Sequence, residues 1–511
     1  MKSIFYALLL IKLFLSSSGS EILSVNEAFL SDSIILPNVL KDRNLINNTI
    51  IDDINGDNLK DLLIFFDDKI YVFEQKNRGG FSEYTEISSK ANGAIDVGNV
   101  INGNEKEILI MNEYGISCLK KENGEWNYLD EALVEIKTIY RNRFSLQREY
   151  FAIDFDGDEI SELILWEENF LNIYRGNNSY KYKLIQSIPY ETKNYFVSPG
   201  LRITNSPWNI KSLNPSERFF EIMWPNKIKY ALVSNTKVFQ RCLFWDFNKD
   251  SRKDFILIQP IEKKIPQKGN IIVFEYKIYL FNNDNKFNIS PDFTIYDPHG
   301  AWISPNCTDI NNDGLLDFIK IETEIKTGLR KHQKSTFSIF IAKNDGSYST
   351  KPDQSIETTS LPLLHNLLAD IDGDKMKDLI LIDPITKGFS IGSIINKFLR
   401  RGIDVKVLVL PYNEGYSKRI VLKKVKMKFL KGIPMNVEGD FNGDGKKDLL
   451  IVDEGSIKIF PLINMDKGFQ SKPEFNIKIQ DINSYIIQDM NNNKKSDLII
   501  FSGSEIEFII F

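Results

Sequence analysis

The nine residues Asp440-Phe-Asn-Gly-Asp-Gly-Lys-Lys-Asp448 set acids or an amide at positions 1, 3, 5 and 9 of a short loop, and the apolar run Leu449-Leu-Ile-Val452 follows at once. Hard oxygen donors at that spacing can surround one point, and the ion such a set suits is calcium. Gly443 and Gly445 supply the positive-φ backbone that lets so short a segment wrap an ion. An EF-hand shares the first three positions but needs a glutamate at position 12 and flanking helices. Here the closing acid stands at position 9 and a strand-like run comes next.

The pattern returns in phase. Full copies begin at Asp53, Asp154, Asp246, Asp309, Asp370, Asp440 and Asp489. One further register, Asn99 to Glu107, carries Ile101 and Gly103 at positions 3 and 5, and no metal is expected there. What must position these loops is a recurring set of short strands. After the first loop come Leu62-Leu-Ile-Phe-Phe66, Lys69-Ile-Tyr-Val-Phe73, a Gly-rich turn with Phe81, and a third run ending at Ile87. The second unit repeats this order with Trp126 in place of Phe81. The eighth unit stops at Phe511 without its last strand, and Ser33-Ile-Ile-Leu36 precedes the first loop as such strands do elsewhere. The pattern predicts an all-β chain: a β-propeller of eight four-stranded blades, closed by an N-terminal strand in the last blade, with seven blades as the alternative. Circular closure would cover the strand edges that invite aggregation.

Spacing and composition bound the rest. The fourth loop begins 92 residues after the third, whereas the other registers lie 46 to 70 apart, so residues 190–236 read as an insertion between units. Insertions in such arrays fall on one face and often carry function. Residues 1–20 read as a signal peptide: Lys2, an apolar core from Ile4 to Leu15 interrupted by Lys12, then Ser16-Ser-Ser-Gly-Ser20. The mature domain would be 21–511, secreted, periplasmic or on the cell surface. No other apolar run reaches the roughly 20 residues a membrane span needs. Hydrophobic content of 42% and charge of 26% are those of a globular chain. Its net charge of −5 argues against a nucleic-acid partner. Cys118, Cys242 and Cys307 are too few and too scattered for a disulfide framework or a zinc pair.

The loops, D-x-[DN]-x-[DN]-x-x-x-[DE] running into a hydrophobic strand, resemble the FG-GAP or VCBS repeats found in the α-subunit propeller of integrins and in exported bacterial proteins. The resemblance covers essentially the whole mature chain, although the literal Phe-Gly and Gly-Ala-Pro signatures are missing. It implies seven or eight blades with structural calcium ions in the loop between the first and second strands. The ligand positions it implies are Asp53, Asn55, Asp57 and Asp61; Asp154, Asp156, Asp158 and Glu162; Asp246, Asn248, Asp250 and Asp254; and Asp309, Asn311, Asp313 and Asp317. They continue at Asp370, Asp372, Asp374 and Asp378; Asp440, Asn442, Asp444 and Asp448; and Asp489, Asn491, Asn493 and Asp497. Lys249, where other loops have Gly or Asn, strains the fourth turn, and the eighth loop has only two carboxylates to offset the dehydration of an ion.

No catalytic constellation stands out. His299, His332 and His365 are the only histidines and lie far apart; the cluster of Asp297, Pro298, His299 and Trp302 is the most suggestive. The expected function is therefore a protein- or glycan-binding or adhesion scaffold stiffened by calcium. The alternative is an exported carbohydrate-active enzyme of the polysaccharide lyase type, because a fold alone does not fix function.

Overall fold

The computed structural model describes residues 30–135, 146–190, 241–296, 306–325, 333–362, 367–384, 403–427 and 435–511, apart from short breaks within them, together with 194–195 and 236–237. The proposed leader, the three histidines, Trp302 and nearly all of the 190–236 insertion lie outside the described residues. Asn194–Tyr195 and Thr236–Lys237, at the two ends of that insertion, pair antiparallel with one another.

The chain is an eight-bladed β-propeller of four-stranded antiparallel sheets. Blade 1 is built from Thr49–Asp52, Asp61–Phe66, Lys69–Phe73 and Thr85–Ser88, paired in that order. Blades 3, 4 and 5 repeat the simple order, beginning at Ala152, Arg241 and Asn306. Blade 2 adds Gln147–Arg148, parallel to Ala94–Ile95, and two short outer pairings. Blade 6 adds Leu361–Pro362 beside Asp378–Pro384. Blade 7 runs from Met435–Asn436 to Phe475–Lys478. In the eighth sheet Ile482–Gln488, Asp497–Ser502 and Glu505–Ile510 are joined by Leu30–Ile35, which pairs antiparallel with Glu505–Ile510. Among the described residues the only helical elements are two single turns, Asn38–Leu40 and Ile46–Asn48.

Side-chain alternation along the second strand explains why each strand after a loop is continuously apolar. Leu62 and Ile64 pack against the eighth blade's Ile499 and Phe501, while Leu63 and Phe65 pack against the second blade's Ile108 and Ile110. Both faces of a blade are covered, so neither can be polar. The same division recurs at every step, giving one apolar cluster between each pair of neighbouring blades, including blades 8 and 1.

The loops share one end of the propeller, because each is hydrogen-bonded to the next. The N–H at position 8 of a loop is donated to the carbonyl at position 2, or in two cases position 1, of the preceding loop. The pairs are Lys106 to Ile54, Ser161 to Asn99, Lys253 to Phe155, Lys377 to Ile310, Lys447 to Ile371, Ser496 to Asp440 and, from first loop to last, Lys60 to Met490. The remaining link would fall at residue 316, outside the described residues. In the first and sixth loops position 4 abuts the neighbour as well. A Cβ on Gly56 would lie 2.7 Å from the carbonyl oxygen of Asn104, and one on Gly373 would lie 2.7 Å from that of Gly445.

The closing acid ties each loop to its own blade. In all eight registers one of its oxygens accepts the position 2 N–H, at Ile54, Val100, Phe155, Phe247, Ile310, Ile371, Phe441 and Met490. The other oxygen accepts a backbone N–H just beyond the third strand: Gln75 for Asp61, Phe281 for Asp254, Ala342 for Asp317, Tyr412 for Asp378 and Phe511 for Asp497. Position 6 takes positive φ with ordinary side chains in five loops, at Asn58, Glu159, Ser251, Lys375 and Lys494.

Two outcomes follow for thermal or denaturant unfolding. Asp497→Ala leaves two buried N–H donors without acceptors, at 1–3 kcal/mol for each orphan, so a loss of about 3 kcal/mol or more is expected. Lys375→Gly relieves a left-handed backbone at φ 74° and should stabilise by about 0.5–1 kcal/mol, the strain relieved exceeding the added chain entropy.

Candidate metal centres

Each loop is shaped by its own acids. Asp53 Oδ1 accepts N–H bonds from Gly56 (2.8 Å) and Asp57 (3.2 Å), and its Oδ2 accepts from Asn58 (2.9 Å). Asp440 does the same with Gly443, Asp444 and Gly445. Asp154, Asp246, Asp309, Asp370 and Asp489 likewise hold the N–H at position 6. The position 5 side chain accepts the N–H at position 7, from Asp57 to Leu59 through to Asn493 and Lys495. These are Asx-type turns. An ionised carboxylate has about four acceptor sites, so even the three N–H bonds on Asp53 leave a lone pair for a cation.

Position 3 separates the loops. Asn55, Asn311, Asn442 and Asn491 accept the position 5 N–H at 3.0–3.1 Å. Where the residue is aspartate, at Asp156 and Asp372, that distance opens to 3.4 Å. Only in these two loops, among the described residues, do three carboxylates offer oxygens within 4.8 Å of one another: Asp154, Asp156 and Glu162 in the third, and Asp370, Asp372 and Asp374 in the sixth. The sixth loop fits a hard divalent cation. Burial, then the charges of Asp374 and Asp370, raises the pKa of Asp372, as expected of crowded acids lacking a counter-charge.

Two loops have a guanidinium among their acids. Arg175 Nε donates to Glu162 Oε1 at 2.9 Å, and its Nη2 lies 2.6 Å from Asp156 Oδ2. In the fourth loop Arg252, at position 7, holds Asp250 Oδ2 through Nε (3.1 Å) and Nη2 (2.5 Å). Lys446 reaches Asp444 Oδ2 at 3.3 Å in the seventh loop from a more exposed position. In the eighth, Asn493 turns its amide nitrogen to the Phe511 carbonyl. Asn248 and Lys249 lie outside the described residues.

The closing acids lie deeper than positions 1, 3 and 5. Burial pushes Asp61 and Asp497 up to about 6, and Asp254, Asp317, Asp378, Asp448 and Glu162 up to about 7, while the backbone N–H donors pull the other way. Position 9 is thus a buried anchor at the floor of each loop. Sequence reasoning missed the links through positions 2 and 8 and both arginines. The signals were present: position 2 is apolar in every register, and Arg175 stands opposite Glu162 in the adjoining strand.

The family model of the FG-GAP-like repeat matches residues 246–319, from the first residue of the fourth loop into the strand after the fifth. A search of curated proteins gives no match. Among solved structures the chain is similar to an Agrocybe aegerita lectin described as recognising non-reducing terminal N-acetylglucosamine, at 10% identity and TM-score 0.39, covering 91% of this chain and 99% of that one. It is also similar to a biofilm matrix protein of V. cholerae, at 11% identity and TM-score 0.26, covering 90% of this chain and 76% of that one. The chain is thus an eight-bladed β-propeller in which residues 246–319 match the FG-GAP-like repeat.

Proposed function

We propose that the chain is an exported binding scaffold in which calcium ions, held by the acidic loops, stiffen one end of the propeller and leave other surfaces to meet a protein or glycan partner. The observation that carries the calcium reading is the sixth loop, where three carboxylates converge and no cationic side chain is paired with them among the described ion pairs. Asp370, Asp372 and Asp374, with Asp378 beneath, would hold that ion. Asp53, Asn55, Asp57 and Asp61 would act alike in the first loop, as would Asp309, Asn311, Asp313 and Asp317 in the fifth and Asp440, Asn442, Asp444 and Asp448 in the seventh. Asp489, Asn491, Asn493 and Asp497 would bind most weakly, having two carboxylates. Export rests on the Met1–Ser20 leader pattern.

The ion's role in this reading is mechanical. Seven links between neighbouring loops are described, so fixing one loop restricts the next. A ligand that binds only the folded chain stabilises it by about 2.7 kcal/mol per site at a hundredfold excess over Kd. Among the described residues no helix is long and apolar enough to cross a membrane.

Differential scanning calorimetry checks this. Adding calcium to EGTA-treated protein should raise Tm by several degrees, and an unchanged Tm would overturn the calcium reading. A glycan array probed with and without calcium tests the partner; calcium-dependent retention without turnover is the expected result, and product formation would overturn the scaffold role. The shift should also depend on pH. Carboxyls raised to about 6–7 in the folded chain favour folding below the unfolded carboxylate pKa, and that contribution is lost as pH rises through 7. A cation replaces those protons, so the calcium-induced rise in Tm should be larger at pH 8 than at pH 5.5.

A further inference from the structure

The third and sixth loops are matched in charge. Each carries four carboxylates, Asp154, Asp156, Asp158 and Glu162 against Asp370, Asp372, Asp374 and Asp378, and each brings three oxygens within 4.8 Å of one another. They differ in what faces the closing acid across the sheet. Opposite Asp378 the register places Pro411, whereas opposite Glu162 it places Arg175. The guanidinium reaches over the loop to Asp156 at position 3 and Glu162 at position 9, two of the three converging groups. Asp156 is only 9% exposed and Glu162 1%, so this is a largely desolvated pair whose charges are weakly screened.

The closing residue fits that arrangement. Asp61, Asp254, Asp317, Asp378 and Asp497 each spend their second oxygen on a backbone N–H. Glu162, one methylene longer, gives its second oxygen to Arg175. The one other register closed by glutamate is the second, at Glu107, and the residue opposite it is Lys120. That loop lacks oxygen ligands at positions 3 and 5. Opposite the six aspartates stand Glu74, Leu280, Ile341, Pro411, Pro461 and Ile510, none of them basic. A basic residue thus faces the closing acid where that acid is glutamate, and of the two it is Arg175 that bonds it, Lys120 pairing with Glu122 instead.

We propose that Arg175 takes the place of the ion in the third loop, so that blade 3 is held without metal while the sixth loop depends on it. The inference rests on the calcium reading above. In this arrangement the guanidinium supplies the counter-charge, donating from Nε to Glu162 and lying beside Asp156 as an ion pair. A calcium ion would have to displace a bonded arginine to enter.

The test counts bound calcium per chain by equilibrium dialysis on the full-length protein. Asp372→Ala, which removes the oxygen at position 3, should lower the count by one, whereas Asp156→Ala should leave it unchanged. Arg175→Gln should raise it by one and add a calcium-dependent increase in Tm absent from the third-loop contribution of the parent. Loss of one ion in Asp156→Ala, or no gain in a folded Arg175→Gln, would overturn the role of Arg175 and leave the calcium reading intact. If Arg175→Gln does not fold, the Asp156→Ala count decides. A parent chain that binds no calcium at all would instead overturn the calcium reading and this inference with it.

Discussion

The peptide group at the second position of the loop is where the constraints of this propeller meet. Its N–H is donated to the closing acid of the same loop in every register. At Ile54, Phe155, Ile310, Ile371 and Met490 its carbonyl accepts the N–H of the next loop. Its side chain is buried in all eight loops. One residue thus joins the loop to its floor, the blade to its neighbour and the backbone to the core. A buried N–H without a partner is costly, and this is why an acid must stand at position 9 even in the second register, where positions 3 and 5 carry no oxygen ligand.

That arrangement separates two roles that share one motif. The closing acid serves the fold first: it is buried, bonded to backbone at both oxygens in most blades, and raised in pKa by desolvation. Positions 1, 3 and 5 sit nearer solvent and shape the turn while keeping lone pairs free. Crowding acids at the rim of the propeller creates a charge problem that grows with each added carboxylate. The third and sixth loops, with the most acid, show two physical answers: an arginine from the facing strand in one, and a cluster open to a cation in the other.

Between the loops and the core the same economy holds. Each blade is apolar on both faces because alternating residues of one strand serve two interfaces, as Leu498 and Ile500 pack toward blade 7 while Ile499 and Phe501 pack toward blade 1. The apolar runs after the loops are therefore continuous, and polar side chains collect at the turns.

Much of this was legible in the residues alone. The acidic loops gave the repeat, the runs after them gave strands, and eight registers gave eight blades; the positive φ of Gly443 and Gly445 was readable too. These features are local, set by turn chemistry and by side-chain alternation within a few residues. The pairing of Leu30–Ile35 with Glu505–Ile510 brings together segments far apart in the sequence. What only the tertiary structure decided was which groups share each acid. The bond from Lys60 to Met490, the grip of Arg175 on Asp156 and Glu162, and that of Arg252 on Asp250 depend on how side chains and neighbouring blades converge. A motif written along one loop cannot specify a counter-charge that arrives from another strand, because that meeting is fixed by sheet register and side-chain direction.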